Sequence, residues 1–163
     1  MVVASEGEPE GNMKMTSKVA AGPASAKWGE PAEVEALTRD ECLELLRGTA
    51  TGCLALATDG APRLRPVNFI VDDWSIIVRT GEGQILDAAR EGRHASFQVL
   101  DSNGFEHTGA SVNVAGKLEE LETNELLLAL PLRPWASGQR DRFVKLSVAQ
   151  ISGRRIPPGR GNR

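Results

Sequence analysis

Arg79-Thr80-Gly81-Glu82-Gly83-Gln84 brings a planar guanidinium, a hydroxyl and two glycines into one short stretch. Those groups are what an anion cradle requires. Glycine lets backbone N–H groups approach a charged ligand with no Cβ in the way. Arginine offers a fork of donors that matches phosphate, and threonine adds a hydroxyl. A helix starting after the turn directs its unpaired N–H groups at the same point. The spacing is neither GxxxxGK[ST] nor GxGxxG, so this is not one of the familiar nucleotide loops. A plain glycine turn with a solvated arginine fits the same letters, and spacing alone leaves both readings open.

Two further stretches have the chemistry to line a ligand. Arg65-Pro66-Val67-Asn68-Phe69 reads as a strand in which proline withholds an N–H, so the ladder is interrupted or at an edge there. The backbone at Val67 and Asn68, with the Asn68 amide, then suits the polar edge of a flat heterocycle. An ordinary core strand is the alternative. Pro134-Trp135-Ala136-Ser137-Gly138-Gln139-Arg140-Asp141 sets an indole among turn residues. Trp135 is either a plug at a corner or an aromatic wall for a planar ligand, with Arg140 as a donor beside it.

Other chemistries are poorly served. Gly109-Ala110-Ser111-Val112-Asn113 lacks the final glycine of a GxSxG nucleophile elbow, and no histidine–acid pair accompanies it. Glu119, Glu120 and Glu122 read as a solvated run, not as a catalytic pair. Cys42 and Cys53 form no CxxC and read as reduced, partly buried thiols. His94 and His107 have no metal-spaced companions, so no metal site is expected. The arginines of the C-terminal GRRIPPGRGNR read as a solubilising tail.

The elements that must hold these residues follow from local pattern. Thr38-Arg39-Asp40-Glu41 is a capping box opening a helix over 39–47, with Gly48 suited to a left-handed cap. Strands are predicted at 52–58, 63–71 and 74–80, joined by turns at Asp59-Gly60 and Asp72-Asp73 into an antiparallel meander. Trp74, Ile76 and Val78 are expected on one face of the third. A helix over 84–92 ends at Gly92. Strands follow at 94–100 and 110–121, the latter with a bulge at Gly116. A helix over 123–130 stops at Pro131, and a last strand covers 141–156. Six strands in local hairpins with short helices predict a mainly β, α+β protein: a small antiparallel barrel.

At 163 residues the chain fits one domain. Its 40% apolar and 25% charged content is enough for a buried core. A net charge of −3 argues against nucleic acid as an electrostatic partner. No run approaches the roughly 18 apolar residues that cross a bilayer. The acidic N-terminus fits neither a secretory nor a mitochondrial leader, so a cytoplasmic protein is expected. Residues 1–33 read as a disordered tail with Trp28 as a single apolar anchor, and Met13 or Met15 as alternative starts. The domain is expected at 34–156, with an arginine-rich tail at 157–163.

The ordered set LTRDECLELL, DGAPRLRPVNF, VRTGEG, SFQV, SVNVAG and PWASGQRDRFVKL resembles the pyridoxamine 5′-phosphate oxidase-like family of flavin-binding split β-barrels. The resemblance covers about residues 37–156. It implies a homodimer with FMN at the interface. Arg79 and Thr80 are then the phosphate ligands, joined by position 84 at the head of the next helix. Pro66, Val67, Asn68 and Phe69 lie along the isoalloxazine, and Ser111 sits in the strand that crosses the dimer. Trp135 and Arg140 come from the partner subunit. This chain departs from the pattern at Gln84, where many relatives have lysine, and at Ala110, where many have tryptophan. The first departure removes one positive charge from the phosphate site. The resemblance implies oxidoreductase chemistry on a small organic substrate. Deazaflavin F420 and a non-catalytic flavin-binding role are the alternatives.

Overall fold

The structure is a computed structural model that describes residues 33–58, 60–132 and 138–158. The expectations for the N-terminal tail, Trp28, Asp59, Trp135 and the end of the C-terminal tail lie outside the described residues.

A short strand, β1 (Glu35–Leu37), precedes the first helix. Three residues are too few to show a period, and pattern reading missed it. Helix α1 (Arg39–Gly48) opens with the expected box: the Thr38 N–H donates to Glu41 Oε2 at 2.8 Å and the Glu41 N–H donates to Thr38 Oγ1 at 3.4 Å. Its buried face is Cys42, Leu43 and Leu46. Burial pushes the Cys42 thiol pKa up, so this sulfur stays protonated. The helix ends differently from expectation. Gly48 is its last residue, and Thr49 follows in an extended conformation with φ −112°. The Thr49 hydroxyl donates to the Leu45 carbonyl at 2.7 Å and its N–H to that of Leu46. Threonine thus satisfies the end carbonyls, and no left-handed turn is needed.

The meander is β2 (Thr51–Leu56), β3 (Arg63–Asp72) and β4 (Ser75–Thr80), neighbours in the predicted order. Trp74 is not on the β4 face. It lies in the tight turn after Asp73 (φ 46°), and the Arg39 guanidinium stacks 3.5 Å from its ring centre. That stack covers an aromatic surface left outside the sheet and ties α1 to the hairpin. Ile76, Ile77 and Val78 are all buried, because both faces of β4 are covered. Helix α2 (Gln84–Arg90) ends as expected at Gly92, whose φ is 61°. The Gly92 N–H donates to Ala89 and the Arg93 N–H to Ala88, closing the helix end.

Strands β5 (His94–Asn103), β6 (Thr108–Leu121) and β7 (Arg142–Ile156) complete the sheet, with the short helix α3 (Glu125–Ala129) between the last two. The sheet order is β1-β7-β4-β3-β2-β5-β6, and β6 also pairs with β7. That pairing closes six strands into an antiparallel barrel, and β1 extends β7 beyond the end of β4. The expected irregularity is present: Ala115 pairs with Gln150 but Gly116 pairs with Val148, so the extra residue is Ala149 on β7. A Cβ at Gly116 would lie 1.8 Å from the Ser147 carbonyl oxygen. Glycine is therefore required where the two strands close up.

Inside the barrel, Leu54, Phe69, Phe97, Val112, Val114 and Leu146 form one cluster with Leu86 of α2 and Leu46 of α1. The two helices thereby share the barrel's core. A second cluster outside it joins Ile77, Phe143 and Leu132.

Candidate functional site

The glycine turn lies where β4 ends and α2 begins. Gly83 caps the helix with φ 134° and no side-chain hydrogen bond. Only glycine adopts that angle without strain. Across the turn, a Cβ at Gly81 would meet the Gln139 carbonyl oxygen at 2.5 Å, so the segment before β7 packs directly on it. Arg79 fixes the same segment: its Nε donates to the Arg140 carbonyl at 2.5 Å, and its guanidinium lies 5.5 Å from the Phe143 ring centre. Arg79 and Arg140, singled out separately in the sequence, are thus neighbours within one chain. Thr80 is buried, and its hydroxyl donates to the Gly81 carbonyl at 3.2 Å. Its oxygen faces the turn, and its proton must turn away from that carbonyl to serve an anion.

Gln84 opens α2 beneath this turn, and the structure gives it a cation. Arg65 Nη2 on β3 donates to Gln84 Oε1 at 2.7 Å. The charge that position 84 lacks in this sequence therefore arrives 19 residues away, from a different strand. Arg65 was not among the sequence candidates. The signal was present: Arg65 has the same parity as Val67 and Phe69, whose side chains face the barrel's core. A charged residue on the inward row of a strand must lie at the barrel's end or meet a partner.

The Arg65–Phe69 strand divides by parity. The Phe69 side chain is core, edge-on to Phe97 with centroids 4.7 Å apart, and Val67 packs against the same cluster. Of the two, only Val67 has its backbone on the stretch that lacks a β4 partner. Pro66 and Asn68 point the other way. The ladder with β4 begins only at Phe69, paired with Val78, so Arg63–Asn68 pairs with β2 alone in the strand register. This is the interruption that Pro66 predicted. The Asn68 Nδ2 donates to the Ala50 carbonyl at 3.4 Å.

Following the outward row from Pro66 across the sheet gives Pro66–Cys53–Gln98–Asn113–Ser152. The next row on one side is Leu64–Ala55–Ser96–Ala115–Gln150. On the other side lie Asn68–Thr51 and Leu100–Ser111–Arg154. Ser111, Pro66 and Asn68 therefore share one outer face, and no helix covers it among the described residues. Arg154 is the one charged residue on these rows, in a chain that is 25% charged. Leu64 and Leu100 stand exposed on it. A broad sheet face so poor in charge is unlike a solvated one.

Beside that face, a cavity of about 530 Å³ opens under α1, between Leu45, Thr49, Ala50, Leu100 and Ala110. It adjoins the carbonyl that holds Asn68. Among the described residues no set of three or more His, Cys, Asp or Glu could hold a metal. The site gathers two arginines and a glycine turn at one end, and along β3 it leaves a stretch of strand without a β4 partner.

The chain's likenesses agree with that architecture. A family model described as pyridoxamine 5′-phosphate oxidase matches residues 38–155. The uncharacterised protein Rv0080 of Mycobacterium tuberculosis is 29% identical over 143 residues, covering 83% of this chain and 91% of its own. Among solved structures, an FAD-binding protein of Mycobacterium smegmatis is 26% identical with a TM-score of 0.60, over 77% of this chain and all of that one. An FAD-binding protein of Mesorhizobium loti, 24% identical, shares the fold with a TM-score of 0.65, over 76% of this chain and 97% of that one. The family match spans the capped helix, the glycine turn and every strand of the barrel, and by it this chain belongs to the pyridoxamine 5′-phosphate oxidase family.

Proposed function

We propose that this protein is a flavin-dependent oxidoreductase that holds FMN between two copies of the chain and acts on a small organic substrate. The observation that carries the reading is the Arg65–Gln84 contact. It sets a guanidinium at the glycine turn, in the position that the sequence left without charge. Arg65 and Arg79 then supply the charge for a phosphate dianion, and Gly83, with open space where a Cβ would stand, leaves room for it. The backbone of Pro66–Asn68 and the Asn68 amide suit the ring's polar edge. The outer face carrying Pro66, Asn68 and Ser111 receives the second copy, which closes the ring site. By the family resemblance, Arg140 and Trp135, the latter outside the described residues, come from the second copy.

When bound, a flavin supplies hydride or electron transfer, so no protein nucleophile is required. The chain's residues orient it: the two arginines fix the phosphate end, the strand fixes the ring, and the charge-poor face excludes water. The first phosphate is common to FMN and FAD, and the M. smegmatis relative named as FAD-binding favours FAD as the second ligand to test. The cytoplasm, with its supply of reduced nicotinamide, is the expected compartment.

The test is a spectral titration of the purified protein with FMN, FAD and F420, followed by anaerobic reduction with NAD(P)H or reduced F420. Binding of FMN or FAD at micromolar concentration with turnover of an added acceptor supports the reading. Binding without turnover makes the protein a flavin carrier or sensor. Binding of F420 alone moves it to deazaflavin chemistry, and binding of none removes the cofactor claim.

A further inference from the structure

We propose that Arg90 is a positioning residue of the anion cradle: it draws the Glu82 carboxylate away from the place where the phosphate is to lie. The inference rests on the flavin reading above. Glu82 is the one carboxylate between Arg79 and Gln84, in the middle of a turn otherwise built for an anion. Left to itself, a carboxylate there opposes a phosphate dianion at close range. The structure gives it a cation instead. Arg90 Nη1 and Nη2 donate to the two Glu82 oxygens at 3.0 and 3.4 Å.

Arg90 is itself held. Its Nε donates to Glu120 Oε2 on β6 at 2.8 Å, and the other Glu120 oxygen accepts from Arg142 Nη2 on β7. Arg142 is paired in the ladder with Thr80, the residue that begins the turn. The chain Glu82–Arg90–Glu120–Arg142 thus alternates in sign and returns to the strand from which the turn departs. Gln84, two residues on, turns instead to Arg65 on β3. In the barrel order β3 and β6 are never adjacent. The two side chains of the turn are therefore drawn apart, the amide toward the cradle's cation and the carboxylate away from it. Exposed ion pairs of this kind add little to folding stability. Their effect is on where the Glu82 charge lies.

The experiment is a double-mutant cycle of Arg90→Gln and Glu82→Gln, read as affinity for FMN and for riboflavin, which has no phosphate. Arg90→Gln is expected to weaken FMN by roughly three- to tenfold at low salt, less at about 0.5 M salt, where screening is stronger. Riboflavin affinity stays within about twofold, since the opposed charges are absent. Adding Glu82→Gln to Arg90→Gln restores FMN affinity, whereas a packing defect at α2 would persist. Glu120→Gln, which loosens Arg90 from β6, gives a smaller loss in the same direction and serves if Arg90→Gln misfolds. Equal loss for FMN and riboflavin, or no rescue by Glu82→Gln, overturns the inference while leaving flavin binding intact. A parent protein that binds neither FMN nor FAD removes both.

Discussion

At residue scale the decisive feature is the exchange of charge between positions 65 and 84. In the sequence Gln84 reads as a loss, because a neutral amide does not neutralise a phosphate. In the structure Arg65 reaches it. That contact was not legible, since it joins two residues that only the β3 and α2 geometry brings together. Arg65→Ala is expected to weaken FMN by about 1–3 kcal/mol, the usual effect of losing a charged hydrogen bond. Adding Gln84→Lys to Arg65→Ala should recover part of that loss, because the ammonium then stands where the guanidinium did. Calorimetric titration of the three variants checks both, and an unaltered affinity in Arg65→Ala places the phosphate elsewhere. A second residue-scale expectation concerns acid. Hydrogen bonds from Arg142 and then Arg90 hold the Glu120 carboxyl below its ordinary value of 4.5. The Thr38 cap does the same for Glu41. A lowered folded pKa gives stability that is fully present above the ordinary value and lost as pH falls through the lowered one. Melting temperature should therefore fall below about pH 4.5 in the parent. Glu120→Gln should melt only slightly lower than the parent at neutral pH, since the pairs are exposed, and approach it in acid.

At the scale of elements, most of the fold was legible and the exceptions have physical causes. The capping box, the meander, the Gly92 helix end and the Gly116 irregularity depend on neighbours in sequence, and the structure contains each. Gly48 and Trp74 were read differently from their places because their outcome depends on what lies next to them in space. Thr49 supplies its own hydrogen bonds after Gly48, and Arg39 gives Trp74 a partner outside the sheet. The interruption at Pro66 was legible, but the parity that sends Phe69 into the core became clear only with its partner Phe97. The turn itself gives a sharp expectation. Gly81→Ala places a methyl 2.5 Å from the Gln139 carbonyl, so the turn and the segment before β7 must separate. The cost is expected to be about 1–3 kcal/mol in urea unfolding, with weaker flavin binding alongside. A variant as stable as the parent would mean that the two segments do not press together.

At the scale of the whole molecule, the barrel accounts for its own core and leaves one face unaccounted for. The rows through Pro66, Asn68 and Ser111 carry a single charge, Arg154, and span five strands. Their assembly from distant segments was beyond sequence reading, although three of their members were site candidates by resemblance. If that face receives a second copy, Asn113→Arg puts an unpaired guanidinium at its centre. Light scattering should then show a dimer for the parent and a monomer for the variant, with flavin affinity lost in step. A dimer that persists in Asn113→Arg places the interface on another surface. The central claim, that the chain grips a flavin by its phosphate through Arg65 and the glycine turn, is tested most directly by comparing FMN with riboflavin on the parent and on Arg65→Ala. The parent is expected to prefer FMN by about tenfold or more, the scale of one charged hydrogen bond, and Arg65→Ala to lose most of that preference. Equal affinity of the parent for the two flavins would contradict it.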